Sequence, residues 1–397
     1  MNKRIKAVMT SLLLVGSIMA GCTPATPATT TAAGTTPATT AVGTTTPATT
    51  VAGTTTPTTT AAATTTPATT TGKPDITGKS VGMSTDEGGK GDKSFNDSGI
   101  LGLDNIKKDF GLSYDLIETK DPNQIQQNLE TIVSKDEFAV TVGFKMADAV
   151  TIVAKENPEK MFLLVDGVVD SPNVKNVLFK ENEGSFLLGV IAGMMTKTNK
   201  VGFIGGIEGD VIGRFEAGFA AGVASVNPEA GKLLVPQGNA PHGAFTTYAG
   251  SFSDIGKGKE IALDMYNRGA DIIYHAAGGV GLGLFDAAEQ VGKYAMGVDS
   301  DQALIIPDKA KVILVSMMKR VDVAVYDTVK SYIDGTFKGG TENLGIKEDA
   351  VGLSETLHPD LKAKPEILDK VEEYKAKIVN GSLMVPATLA ELKTFKP

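Results

Sequence analysis

Short, unbroken runs of apolar residues alternate with helix-spaced segments through most of this chain. A short unbroken apolar run predicts a strand buried on both faces, and such strands belong to parallel sheets covered by helices. The predicted strands cover residues 80–84, 138–142, 161–165, 200–204, 271–274, 294–298 and 312–315. The predicted helices cover residues 98–110, 147–156, 184–195, 214–226 and 283–291. Because the series restarts at residue 200, we predict an α/β fold with two lobes, each a mainly parallel sheet with helices on both faces.

The start of the chain has the three parts of a secretory signal. Residues 1–6 are basic, residues 11–21 are apolar or small, and Cys22 follows. The apolar stretch is shorter than the roughly 20 residues that span a bilayer. Its Ala-Gly-Cys ending resembles the lipobox of bacterial lipoproteins, whose cysteine is lipidated and becomes the new N-terminus, although Met19 stands where Leu is usual. We predict a lipoprotein signal peptide over residues 1–21 and lipidation of Cys22. The alternative is an ordinary cleaved signal that leaves a free thiol.

A segment composed almost only of Thr, Ala, Pro and Gly follows the cysteine. Prolines recur every ten residues in near copies of Thr-Thr-Thr-Pro-Ala-Thr-Thr, at positions 37, 47, 57 and 67. Val42 and Val51 are its only large apolar residues, so it cannot bury enough side chain to offset the entropy of ordering. We predict that residues 22–74 form a lipidated, disordered linker with a reach of roughly 40 Å.

The remaining residues, 75–397, are numerous enough for two domains. We place a first lobe at about residues 75–199 and a second at about 200–318, each completed by later segments. This part has no cysteine, which excludes a thiolate nucleophile and a thiolate metal site. The chain's three histidines are far apart in sequence, so no metal site is expected. A formal net charge of −8 argues against a nucleic-acid partner.

Polar and aromatic residues follow the predicted strands, which is where ligands bind in doubly wound sheets. The segments are 85–97, 143–148, 205–208, 214–216, 276–283, 299–301 and 316–320. The first of them is rich in glycine and polar residues and carries one aromatic residue, Phe95, ahead of a helix. A flat ring favours aromatic faces, and vicinal hydroxyls favour a carboxylate with a cation beside it. The set indicates a nucleoside rather than a simple sugar or an amino acid.

These segments resemble the basic membrane protein family (Bmp/Med/PnrA), the purine nucleoside-binding lipoproteins of ABC importers. The matching segments are 92–96, 142–144, 201–208, 214–219, 249–252, 276–279, 297–302 and 319–321, in the family's order. The resemblance covers nearly all of residues 78–390 and leaves out the signal peptide and the linker. It implies the periplasmic-binding-protein type I fold, in which hinge strands join two lobes.

The same resemblance implies the partners and the location of the protein. The ligand would be a purine nucleoside of the inosine, guanosine and adenosine class, and the protein partner an ABC permease. The protein would sit at the bacterial cell membrane, held by its lipid and facing outside the cytoplasm. We expect a monomer that is not an enzyme and needs no cofactor.

The resemblance also implies which side chains contact the base. Phe95 and Phe215 would stack on the ligand ring, and Asp86 and Asn96 would hydrogen-bond the ligand near the first strand. Asp148 would accept a hydrogen bond from the base. The alternative for the two phenylalanines is packing in the core.

Three further residues are implied for the sugar. Asp299 would accept from the ribose hydroxyls with Lys319 as its cationic neighbour, and Gly278 would let the backbone approach the sugar. The alternative for Asp299 is helix capping, and for Lys319 a solvated position on the surface.

Three other functions compete with the nucleoside receptor. The glycines in residues 278–283 partly match the dinucleotide-binding fingerprint, but their order is G-G-x-G-x-G and they come late in the chain. A secreted nucleosidase would use clustered carboxylates, for which Asp86, Asp92 and Asp148 are candidates. A sugar receptor of the same fold would have fewer ring-facing phenylalanines paired with carboxylates.

Overall fold

Two six-stranded sheets form the framework of the protein in a computed structural model, which describes residues 74–396. The first sheet contains β1 (Val81–Thr85), β2 (Tyr114–Glu118), β3 (Phe138–Val142), β4 (Met161–Val165), β5 (Val174–Phe179) and β11 (Gly340–Leu344). The second contains β6 (Val201–Gly205), β7 (Thr246–Tyr248), β8 (Ile272–Ala276), β9 (Tyr294–Asp299), β10 (Ile313–Lys319) and β12 (Val351–Leu353). The predicted signal peptide, the lipidation site Cys22 and the linker up to residue 73 lie outside the described residues.

The two sheets share one topology. The strand order is β2-β1-β3-β4-β5-β11 in the first sheet and β7-β6-β8-β9-β10-β12 in the second. Each strand therefore has a counterpart at the same place in the other sheet. Neighbouring strands are parallel except for β10 and β12, which are antiparallel. The predicted α/β fold with two mainly parallel sheets is confirmed.

Helices flank both sheets. They are α1 (Phe95–Phe110), α2 (Ile125–Val133), α3 (Ala147–Glu156), α4 (Glu181–Met195), α5 (Asp210–Val226), α6 (Pro228–Gly231), α7 (Ile255–Asn267), α8 (Val280–Val291), α9 (Gln302–Ile305), α10 (Val321–Ile333), α11 (Pro359–Lys362), α12 (Pro365–Val379) and α13 (Leu389–Thr394). Among residues 74–396, no helix is both long and apolar enough to cross a membrane.

Helices α4 and α5 pack backbone to backbone. A Cβ added to Gly189 would lie 2.2 Å from the carbonyl oxygen of Phe219, and one added to Gly222 would lie 2.0 Å from that of Phe186. Only glycine permits such an approach, because it has no Cβ. The contact fixes the position of α5, whose first turns face the space between the sheets.

The chain passes between the two lobes three times, and these passages form the hinge. They lie between β5 and α4, between β10 and α10, and between β11 and β12. Lobe 1 consists of the first sheet with α1–α3 and α10, and lobe 2 of the second sheet with α4–α9 and α11–α13. Because α4 packs on α5, lobe 2 begins near residue 181, earlier than the predicted boundary near residue 200.

Candidate ligand-binding site

A cavity lies between the two lobes, at the carboxyl ends of strands from both sheets. Its space is about 470 Å³ when the open solvent at its mouth is included. Its polar lining consists of Asp86, Asp92, Asn96, Asp166, Asp299 and Lys319. Its apolar side chains are those of Phe95, Phe144, Val211, Ile212, Phe215, Phe252 and Val298, with Ala276 and Ala277. Both lobes thus contribute polar and aromatic groups to one space.

The loop after β1 is organised by the buried carboxylate of Asp92. This carboxylate accepts hydrogen bonds from the backbone N–H groups of Ser94 at 2.9 Å, Asn96 at 2.9 Å and Asp97 at 3.1 Å. It thereby caps helix α1, whose first N–H groups have no partner within the helix. Since the helix begins at Phe95, the cap sets the position of that ring in the cavity.

Asn96 holds Asp86 in place. Its Nδ2 donates to Oδ1 of Asp86 at 2.7 Å and to Oδ2 of Asp92 at 3.0 Å, while its Oδ1 accepts from the backbone N–H of Asp86 at 3.1 Å. Both side-chain N–H groups of Asn96 are therefore used within the protein, so Asn96 positions Asp86 and has no N–H left for a ligand. Oδ2 of Asp86 has no donor in the described part of the chain, and burial raises the pKa of this carboxyl to about 6.

Four phenylalanines form the aromatic walls of the cavity. Phe95 and Phe144 come from lobe 1, and Phe215 and Phe252 from lobe 2. Phe144 and Phe252 meet edge to face across the cleft, with ring centroids 6.5 Å apart and planes at 74°. Nζ of Lys319 lies 5.0 Å from the ring centroid of Phe95 and 5.6 Å from that of Phe215. Aromatic faces and a cation therefore surround one space, which suits a flat ligand ring.

Lys319, the last residue of β10, is the cation of the cavity and is almost completely buried. Its Nζ donates to Oδ2 of Asp166 at 2.5 Å and to Oε1 of Glu181 at 2.9 Å. Nε of Arg214 donates to the other oxygen of Glu181, Oε2, at 2.5 Å. Burial alone would lower the pKa of Lys319, but the carboxylates of Asp166 and Glu181 outweigh it and raise the pKa above its usual value. Lys319 therefore stays charged.

Asp299, the last residue of β9, receives a hydrogen bond across the cleft. Oγ of Ser94 in lobe 1 donates to Oδ2 of Asp299 at 2.5 Å. Burial raises the pKa of Asp299 to about 7, although the charge of Lys319 opposes the rise. The nearby Gly278 has a φ of +56°, and a Cβ there would lie 3.1 Å from the carbonyl oxygen of Phe252. The positive φ and the close contact with Phe252 both favour glycine at this position.

Seven of the eight predicted ligand contacts line the cavity, and Asp148 is the exception. Asp148 is exposed in the first turn of α3. After β3 the chain turns at Gly143, whose φ is +112°, and passes through a short 3₁₀ turn, Phe144–Met146, before α3 begins. The end of the strand therefore brings Gly143 and Phe144 to the cavity and leaves Asp148 outside it. Asp148 is therefore removed from the predicted contacts with the base.

Two charged residues were missing from the predicted site: Asp166, which lines the cavity, and Glu181, which contacts Lys319. Asp166 directly follows β4, so the rule that ligand groups follow strands would have included it. Glu181 carried no such signal, because an acidic residue at the start of a helix is common on protein surfaces and stabilises the helix dipole there. Its role becomes visible only through its contacts with Lys319 and Arg214.

Comparisons with known proteins identify the family. A family model described as "ABC transporter substrate-binding protein PnrA-like" matches residues 79–388. The CD4+ T-cell-stimulating antigen of Listeria monocytogenes is 42% identical over 328 residues, covering 77% of this chain and 88% of that protein. The ABC transporter nucleoside-binding protein BmpA of Lactococcus lactis is 36% identical over 334 residues, covering 78% and 90%.

A solved structure supports the same assignment. The crystal structure of an ABC transporter solute-binding protein from Aeropyrum pernix matches with a TM-score of 0.69 and 27% identity, covering 80% of this chain and 96% of that one. It confirms the predicted fold of the periplasmic-binding-protein type, and the family description confirms a binding role rather than an enzymatic one. The chain belongs to the PnrA-like (Bmp) family of ABC transporter substrate-binding proteins.

Proposed function

We propose that this protein captures a purine nucleoside between its lobes and delivers it to the permease of an ABC importer. The observation that carries the proposal is one cavity with aromatic walls from both lobes and two groups of carboxylates. Aromatic faces suit a purine ring, and carboxylates accept the donors of a base and of a sugar. The relative from Lactococcus lactis is named a nucleoside-binding protein, which agrees with this chemistry.

The base occupies the space beside Phe95 and Phe215, whose rings stack on it. Oδ2 of Asp86 accepts from a ring N–H or an exocyclic amine, because Asn96 and Gly88 already donate to Oδ1. In this proposal Asp86, and not Asp148, accepts the hydrogen bond from the base.

The sugar lies near Asp299, Lys319 and Gly278. Asp299 accepts from a ribose hydroxyl through Oδ1, which has no donor within residues 74–396. The charge of Lys319 partly offsets the rise in the pKa of Asp299 that burial causes, and Gly278 lets the backbone come close to the sugar.

The charge of the cavity weighs against an anionic ligand. The carboxyl groups of Asp86, Asp92, Asp166 and Asp299 line it together with a single lysine, Lys319. A phosphate group would bring further negative charge against these carboxylates. We therefore propose nucleosides rather than nucleotides as cargo.

Two of the four glycines after β8, Gly281 and Gly283, serve the packing of α8, which weighs against a dinucleotide site. A Cβ on Gly281 would lie 2.0 Å from Cε1 of His275, and one on Gly283 would lie 2.0 Å from the carbonyl oxygen of Ile255. Both glycines lie within α8. Their small size is explained by these contacts without any phosphate.

The anchor is proposed from the sequence. A lipid on Cys22 and the Thr-rich linker hold the monomeric receptor at the outer side of the cell membrane, near its permease, and leave the lobes free to move. Replacing the cysteine, Cys22→Ala, is expected to move the protein from the membrane fraction to the soluble fraction in its native host. Unchanged membrane association of the variant would refute the lipid anchor.

Isothermal titration calorimetry with ligand-stripped protein tests the proposed cargo. The ligands are inosine, guanosine, adenosine, uridine, ribose and inosine 5′-monophosphate. We expect binding of at least one purine nucleoside, and weaker or no binding of uridine, ribose and the monophosphate. Heat from ribose alone would show a sugar receptor. Free hypoxanthine detected by chromatography after incubation with inosine would show a hydrolase.

A further inference from the structure

Four charged side chains form a network that leads from the cavity into the body of lobe 2. Nζ of Lys319 donates to Oδ2 of Asp166 at 2.5 Å and to Oε1 of Glu181 at 2.9 Å. Nε of Arg214 donates to Oε2 of Glu181 at 2.5 Å, and its Nη2 donates to Oε1 at 3.4 Å. Positive and negative groups therefore alternate along the network. Asp166 and Lys319 line the cavity, whereas Glu181 and Arg214 do not.

Glu181 can affect a ligand only through Lys319. Its side chain has no exposed surface, and Lys319 and Arg214 take both of its oxygens. Burial by itself would raise the pKa of Glu181, but the charges of Lys319 and Arg214 outweigh it and lower the pKa below its usual value. Removing one partner of a buried ion pair leaves an uncompensated charge, so Glu181 and Lys319 depend on each other.

The acceptors of Lys319 determine the direction of its ammonium group. The rings of Phe95, Phe179 and Phe215 surround Nζ, with centroids 5.0, 5.1 and 5.6 Å away. These rings attract the positive charge without fixing the direction of any N–H group. An ammonium has three N–H groups, and the two carboxylates of the network take two of them. The third has no acceptor among residues 74–396, so the two carboxylates decide where it points.

The network joins both lobes to two passages of the hinge. Asp166 follows β4 in lobe 1, and Arg214 lies in the second turn of α5 in lobe 2. Glu181 is the first residue of α4, directly after one hinge passage. Lys319 is the last residue of β10, directly before another. The position of Lys319 is therefore set from lobe 1 by Asp166 and from lobe 2 by Glu181.

We propose that Glu181 and Arg214 are positioning residues, in which Arg214 orients Glu181 and Glu181 holds the ammonium group of Lys319 at the cavity. The inference rests on the proposed function, because it takes Lys319 to serve the bound nucleoside. It adds two residues to the site that do not touch the ligand, and it makes Arg214 act on binding through Glu181 alone.

A double-mutant cycle measured by calorimetry with inosine tests the relay. The variants are Glu181→Gln, Arg214→Gln and the protein with both changes. Each single variant should bind inosine roughly tenfold more weakly than the wild type, because Lys319 loses its fixed position. The double variant should bind within about twofold of Glu181→Gln, since Arg214 has nothing left to orient. Arg214→Lys keeps a charged donor and should lose less affinity than Arg214→Gln.

The ammonium signal of Lys319 in ¹H–¹⁵N spectra reports its position without any cargo. Burial and two hydrogen bonds protect this group from exchange with water, and the signal that disappears in Lys319→Arg belongs to it. Arg214→Gln should shift or broaden the signal in ligand-stripped protein. Arg268→Gln and Glu372→Gln make the same changes at exposed positions of lobe 2 and should match the wild type in both measurements.

The outcomes separate the relay from the proposed function. Losses that add up in the double variant would show that Arg214 does not act through Glu181, and would refute the relay. An unchanged affinity and ammonium signal in Arg214→Gln would refute it as well. If thermal unfolding shows that Glu181→Gln is not folded, Arg214→Gln decides alone, because its side chain is 21% exposed and leaves Glu181 paired with Lys319. If no purine nucleoside binds the wild type, the proposed function fails, while the ammonium signal still tests the positioning of Lys319.

Discussion

Individual carboxyl groups in the cavity have protonation equilibria that couple to ligand binding. Burial raises the pKa of Asp86 to about 6 and that of Asp299 to about 7. Because both values exceed those of the unfolded chain, the folded protein holds these protons more tightly. The free energy of unfolding therefore falls as the pH rises from about 4 to about 7. A ligand hydroxyl prefers the ionised carboxylate, so ligand binding should favour proton release.

We predict that the affinity for inosine rises with pH. If only ionised Asp299 accepts the hydroxyl, binding should be about tenfold stronger at pH 8 than at pH 6, the ratio of its ionised fractions for a pKa near 7. Calorimetry across this range measures the effect, and buffers of different ionisation enthalpy measure proton release. The variant Asp299→Asn should bind weakly with a flatter profile, although Asp86 still titrates at its lower pKa. An equally steep profile in the variant would contradict the assignment to Asp299.

At the scale of elements, the apolar pattern found the strands at the centres of the sheets and missed those at their edges. β2 and β11 are edge strands of the first sheet and carry polar, partly exposed side chains, while β7 and β12 at the edges of the second sheet have only three residues each. Edge strands contact fewer neighbours, so their sequences need no continuous apolar run. β5 was missed because Lys175 and Asn176 interrupt its pattern.

The sequence could place site residues that directly follow a strand, but it could not place residues separated from the strand by a turn. Groups directly at the ends of strands, such as Asp299 and Lys319, could be placed from the sequence, because parallel strands bring their carboxyl ends together. The position of Asp148 could not be predicted in this way, because a 3₁₀ turn intervenes between β3 and the helix. The role of Asn96 was also beyond the sequence, because its partners Asp86 and Asp92 are known only from the folded loop.

At the scale of the whole molecule, the lobes are held together by contacts that surround the ligand space. Ser94 bonds to Asp299, and Nε2 of Gln302 in lobe 2 donates to the carbonyl oxygen of Lys93 in lobe 1 at 2.9 Å. Burial lowers the pKa of His275 to about 4, so this imidazole is neutral. Its Nε2–H donates to Oε1 of Gln302 at 3.0 Å and so turns the amide N–H groups towards Lys93. The closed arrangement therefore has its own contacts, and a ligand that bridges both lobes adds to them.

The distance between the lobes, measured by pulsed electron spin resonance, tests ligand-driven closure most directly. Cys22 is the chain's only cysteine, so a Cys22→Ala protein carrying Lys120→Cys in lobe 1 and Ser253→Cys in lobe 2 takes labels at two exposed sites after the equivalent strands β2 and β7. Inosine should shorten and narrow the distance distribution, whereas ribose and inosine 5′-monophosphate should leave it unchanged. A distribution that no purine nucleoside alters, or that ribose shortens equally, would contradict a nucleoside receptor that closes on its cargo.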